Sequence, residues 1–423
     1  MAPRTPSRSL RAAVLVTLLF GPPAACRGPE ISEDELAALA AEAHTTASRV
    51  RGLSAGPGAF KEAIASREEV ERYIGERFRA TDAATLYRST GRILEDLGAL
   101  GAGVDLAEAV QRAVTREVAG FYDWERKTLF IADWIPRMLQ LPILVHEVTH
   151  ALQDAHFGLG RFMTPKAGAD DAQAAAQALI EGDATLVMVL ALLPDPEDAP
   201  GVDAAIAMVV SSAEQQVAQI DAPPVVAEAL VFPYNAGLTL ARAVQRARGW
   251  AGLDRLYADP PLSTEQVLHP EKYLDTPRDQ PQRVVAPVPA ALAAGGWREA
   301  HRAVLGEFGV RMVLRIGGGD LSAAKVGAAG WDGDEALLLE RAAGGESLTL
   351  VTSVWDDEAE AKEAEEALRR MARPPVAMAR AGSRVAGLWG AAEPRAQEAV
   401  EEALRTASAR EARHFEDFVT PVR

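Results

Sequence analysis

Residues 144–154 read LVHEVTHALQD and place His146 and His150 four residues apart. On a helix, at about 100° per residue, their side chains lie roughly 40° apart on one face, near enough to grip a single ion. Glu147 stands beside them. Two neutral imidazoles suit Zn²⁺, and the adjacent carboxylate can take a proton from a water held at the ion's open position. With one cysteine in the chain, internal disulfides and thiolate metal clusters are excluded, so a metal must be held by imidazole and carboxylate.

The surroundings of the motif strengthen this reading. Ile143, Leu144, Val148, Ala151 and Leu152 give it the apolar periodicity of a helix buried in a domain. A catalytic zinc takes three protein ligands, and the next apolar stretch, ALIEGDATLVM at 178–188, offers Glu181. Burying that carboxylate without a partner would cost on the order of several kcal/mol, which a metal would remove. Upstream, aromatic and β-branched residues flank a polar turn at 125–127, a pattern that predicts a β-hairpin. Its edge strand could pair with an extended peptide.

On these residues the chain resembles the gluzincin metallopeptidases, the thermolysin-like class in which HExxH and a Glu on a following helix bind zinc. The resemblance covers about 120–273. It implies that His146, His150 and Glu181 hold one Zn²⁺, that Glu147 is the general base, and that the substrate is a peptide or protein. Thr185 stands where that class has a supporting Asp, which leaves Asp154 or Asp183 for the task. The class also needs a donor to the oxyanion of the tetrahedral intermediate, and His269, then Tyr234, are the candidates. His156 has the spacing of a metzincin third ligand, but Gln153 stands where that turn needs glycine, and a capping role fits His156 better. More loosely, FPYNAG, STEQVLHPEKY and the tryptophans of the last third look similar to bacterial exported proteins predicted to be metallopeptidases. The competing reading is a catalytically silent lipoprotein of gluzincin fold that serves as an envelope binding or scaffold protein.

The N-terminus carries Arg4, Arg8 and Arg11, a short apolar run to Phe20, then small residues up to Cys26. Such a sequence predicts a secretory signal over 1–25, too short to span a bilayer. Residues 23–26 resemble a bacterial lipobox, which implies a lipid on Cys26, a membrane partner and an exported, envelope-anchored protein. The acidic balance, 44 Lys and Arg against 60 Asp and Glu for a net charge of −16, argues against a nucleic-acid partner.

Stepping through the elements predicts an α+β fold: a mainly helical, zincin-like catalytic domain with a β-hairpin edge, then a small C-terminal α/β domain. Residues 26–104 form a helical scaffold inside a catalytic domain over 26–284. A proline-rich linker at 280–289 leads into the C-terminal domain over 285–423. Ser32 and Glu35 have capping-box spacing, the stretch 60–78 reads as helix, and Pro142 is expected near the start of the motif helix. In the last part, strands at 336–341, 347–354 and 383–388 and helices at 358–372 and 394–407 are expected, with no metal ligand or base among them. His44, His301 and His414 are expected on exposed helical faces.

Overall fold

The capping box at the start of the first helix is present: Ser32 accepts the Glu35 N–H, and the Glu35 side chain accepts the Ser32 N–H. The computed structural model describes residues 31–419 except 57, 80–82, 164–167, 196 and 342–344, so the leader and Cys26 lie outside the described residues. The fold is α+β, as the sequence predicts. It divides into two compact units. Of the described residues, the first takes those up to Ala84, those from Glu108 to 163 and Ala175–Pro260, and the second Thr85–Ala107, those from 168 to Ala174 and those from Pro261 onward.

In the first unit, helix Glu33–Arg51 buries the stripe Leu36, Ala40, Ala43, Ala47 and Arg51. That stripe shares a core with Leu144, Val148 and Leu152 of the motif helix, Arg137–Phe157. The predicted hairpin consists of Gly120–Asp123 and Thr128–Ala132, paired antiparallel. Its turn is fixed by Asp123, whose Oδ1 accepts the N–H groups of Glu125 and Arg126 at 2.9 and 3.0 Å. Residues 60–78 are not one helix: Lys61–Ala65 is a strand, parallel to Thr128–Ala132, followed by helix Arg67–Arg79. Lys, Glu and Ala carry helix propensity, but the hydrogen bonds of a preformed hairpin edge outweigh it over five residues. Gly120–Asp123 is the other edge of that sheet. Pro142 lies inside the motif helix, which begins at Arg137. The carbonyl that its missing N–H would leave free belongs to Met138, an 83% exposed residue beside solvent.

Helix Asp170–Leu192 is long and apolar enough to cross a membrane, yet 83% of its apolar window is buried inside the protein. It meets helix Pro224–Ala258 main chain to main chain. A methyl group at Gly182 would lie 2.1 Å from the Gly237 carbonyl, and one at Gly237 would lie 2.0 Å from the Ala178 oxygen. No side chain fits between them. The second helix breaks at Gly249, with φ 66° and ψ −172°.

The second unit contains a five-stranded sheet, antiparallel throughout. Its strands, in spatial order, are Trp297–Ala303, Trp331–Arg341, Ser347–Trp355, Arg384–Gly390 and Ala377–Ala381. Helices Glu358–Arg369 and Ala396–Thr406 match expectation. The strand Trp297–Ala303 was not foreseen, and it carries His301, which is therefore not helical. His414 is exposed as expected but lies in a bend, while His44 is half-buried on the first helix. The stretch read as a linker lies inside this unit and holds strand Gln282–Val285, paired with Ser408–Glu411. Trp297, Trp331, Trp355 and Trp389 are fully buried core residues and line no groove.

Replacing Gly237 with Ala should lower stability by about 1–3 kcal/mol, the range for overpacking a filled interface. Thermal unfolding followed by circular dichroism checks this, and an unchanged midpoint would show that the two helices can separate freely.

Candidate metal centre

Three side chains meet in the interior of the first unit. His146 Nε2 lies 3.2 Å from Glu181 Oε2, His150 Nε2 lies 3.4 Å from the same oxygen, and the two ring nitrogens are 2.9 Å apart. Four ligands bound tetrahedrally at about 2.0–2.1 Å would sit roughly 3.3–3.4 Å from one another, so these three atoms form one face of such a polyhedron, slightly contracted. All three residues are buried. The helical spacing of four supplies the two imidazoles, and the close crossing at Gly182 brings the carboxylate to them.

Glu147 lies alongside, fully buried. Apart from a loose approach by the Tyr122 N–H of the hairpin edge, neither of its oxygens has a hydrogen-bond partner among the described residues. A Cβ at Gly120 would crowd the Phe130 carbonyl at 2.9 Å and Ile143 Cγ2 at 3.1 Å, and would only touch Glu147 Cγ at 3.4 Å. Burial pushes the Glu147 carboxyl up to about 8, against the attraction of His150. Burial lowers His146 to about 4, offset in part by its hydrogen bond to Glu181. It pulls on His150 too, yet Glu181 and Glu147 raise that ring to about 9. Burial would likewise raise Glu181, but the two imidazoles hold it below the usual carboxylate range. A protonated His150 ring thus sits against ionised Glu181 while Glu147 is driven toward its neutral form, and a cation bound here would take the place of the His150 proton.

Behind the cluster runs a chain of polar contacts. His150 Nδ1 meets Gln153 Oε1 at 2.8 Å, and Gln153 Nε2 donates to the Ile180 carbonyl and Asp183 Oδ2, both at 3.1 Å. Asp183 also accepts from Tyr257 Oη at 2.8 Å and from Arg51 Nε at 2.7 Å. Arg51 then donates to Asp254 at 2.7 Å and lies 4.9 Å from the Trp250 ring centre. Of the two acids considered as support for the ligands, Asp183 serves it through Gln153. Asp154 instead takes Tyr122 Oη at 3.0 Å and Lys127 Nζ. Sequence reasoning missed Gln153, Tyr257 and Arg51. The signal for Arg51 was its position, continuing the apolar stripe of its helix at the spacing of the buried alanines.

The remaining candidates are placed as follows. Tyr234 is buried in helix Pro224–Ala258, its ring centre 6.0 Å from that of His146. His269 belongs to the second unit, where its Nε2 meets Glu307 Oε1 at 2.9 Å. His156 meets the Ser54 carbonyl at 2.8 Å from the last turn of the motif helix and is not among the grouped donors. A second trio of acids, Glu265, Asp279 and Asp356, surrounds the Lys272 ammonium at 2.6, 2.9 and 2.7 Å. That ammonium already supplies the positive charge.

Residues 293–406 match the model of a family described as a domain of unknown function (DUF8575). No curated protein and no solved structure matches the chain. The matched stretch spans the five-stranded sheet and includes none of the residues of the His–Glu cluster.

Arg51→Ala would leave Asp183 buried without its cation and should destabilise the protein by about 3–5 kcal/mol. Arg137→Ala, which removes a solvent-screened surface pair with Glu35, should leave stability nearly unchanged. Denaturant unfolding of the two variants checks the contrast, and equal losses would contradict it.

Proposed function

We propose that the protein is a zinc-dependent peptidase in which His146, His150 and Glu181 hold one ion and Glu147 is the general base. The observation that carries this reading is the convergence of three side-chain atoms within 3.4 Å, beside a buried carboxylate that, among the described residues, only the Tyr122 N–H approaches. A zinc ion held there would supply Lewis acidity and make water a nucleophile near neutral pH. Glu147 takes the proton of the attacking water and returns it to the leaving nitrogen, a role suited to an acid whose pKa burial has lifted toward neutrality. Tyr234, close to the His146 ring, is assigned as the donor to the oxyanion, ahead of His269.

One observation favours the second reading, a metal-holding scaffold without turnover. The ligands and Glu147 are at most 1% exposed, and every residue of the hairpin edge Gly120–Asp123 is buried. The edge is thus not free to pair with a peptide in this conformation, and hydrolysis requires the first unit to open. For localisation, we propose export and lipid attachment at Cys26, supported by the leader sequence.

Zinc analysis of purified variants tests the ligand set. Glu181→Ala should lose most of the metal while His156→Ala keeps it, and equal occupancy in Glu181→Ala and wild type would overturn the assignment. Against a peptide library, Glu147→Gln should retain zinc and cleave at least about 100-fold more slowly than wild type. Zinc-loaded wild type that cleaves nothing would favour the scaffold. Cys26→Ser should release the protein from membranes, and a mature chain with a free thiol at its N-terminus would contradict lipidation.

A further inference from the structure

We propose that Gln153 is a positioning residue that fixes which nitrogen of His150 faces the metal, an inference that rests on the metal centre proposed above. Its side-chain amide has one possible orientation. Nε2 faces two acceptors, the Ile180 carbonyl and Asp183 Oδ2, each at 3.1 Å. A flipped amide would set oxygen against both. Asp183 cannot reverse its part, because Arg51 Nε and Tyr257 Oη already donate to it at 2.7 and 2.8 Å. Gln153 Oε1 is therefore left to face His150 Nδ1 at 2.8 Å, and it can only accept. A neutral ring that donates from Nδ1 carries its lone pair on Nε2, the atom that meets His146 and Glu181.

The two ligand rings are thus not equivalent. His146 Nδ1 is buried without a hydrogen-bond partner among the described residues, so nothing comparable orients that ring. The sequence spacing is consistent with this division of labour: Gln153 lies three residues beyond His150 on the same helix, within side-chain reach. Through Asp183 the orientation of His150 is tied to Arg51, on a helix about a hundred residues earlier in the chain. Metal ligands whose supporting hydrogen bond is removed typically lose about 10–100-fold in affinity.

The test uses the full protein and zinc itself, with affinity read by chelator competition and ring protons by nitrogen-15 histidine NMR of the zinc-loaded form. Wild type should show a slowly exchanging Nδ1–H on His150. Gln153→Leu should lose that signal and bind zinc about 10–100-fold more weakly. Gln153→Glu keeps an acceptor facing Nδ1 while losing both donors, so it should bind zinc more tightly than Gln153→Leu. A residue that merely braced Ile180 and Asp183 would fail equally in both variants, and that result overturns the proposal. So does wild-type affinity in Gln153→Leu. If Gln153→Leu does not fold, the wild-type spectrum decides, and a His150 ring without a proton on Nδ1 overturns the proposal. A wild-type chain that takes up no zinc would remove the metal centre and this inference together.

Discussion

Two carboxylates and two imidazoles are buried together at no more than 1% exposure, and much of the first unit is arranged to make that tolerable. An unpaired buried charge costs several kcal/mol on the usual scale, so each of these groups needs a partner or a reason to be neutral. Glu181 is ionised against the two rings. Glu147 has no such partner and is driven toward its neutral form. Two residues beyond Glu181, Asp183 is satisfied by Arg51, Tyr257 and Gln153. The N-terminal helix therefore does more than cover the core, because it delivers the cation that lets an acid sit directly behind a ligand ring.

The same need for exclusion explains the glycines. Gly182 and Gly237 allow two helices to touch through their backbones, which draws Glu181 onto the motif helix. Gly120 lets the hairpin edge lie close to the Phe130 carbonyl and the Ile143 side chain of the motif helix. These close approaches exchange access for electrostatic strength, since interactions inside a dry site are far stronger than in water. Under the proposed peptidase reading, a site so closed admits a substrate only by moving, and the covered hairpin edge is the element that an extended peptide would have to expose.

The chemistry-bearing helix was legible because its signal is local. His146, Glu147 and His150 are fixed by a spacing of four within an apolar period, and Glu181 stands out as an acid in an apolar stretch. The hairpin announced itself through β-branched and aromatic residues, and three of the five strands of the C-terminal sheet were foreseen, while Trp297–Ala303 and Ala377–Ala381 were not. What stayed hidden depends on pairing across the chain. Lys61–Ala65 becomes a strand because Thr128–Ala132 offers it hydrogen bonds, and Trp297–Ala303 because Trp331–Arg341 does. Gln282–Val285 looked like a linker for want of its partner, Ser408–Glu411. At the site, Gln153 was noticed only as a residue that was not glycine, and its role emerges from the position of Asp183 across the helix crossing.

X-ray absorption at the zinc edge of the metal-loaded protein tests the central claim most directly. The account predicts a first shell of two imidazole nitrogens and light oxygen donors at about 2.0–2.1 Å, with no sulfur. In Glu181→Ala the oxygen contribution should change while the two imidazoles remain in whatever zinc is still bound. Three imidazoles in the wild-type shell, or a wild-type protein that retains no zinc, would contradict it.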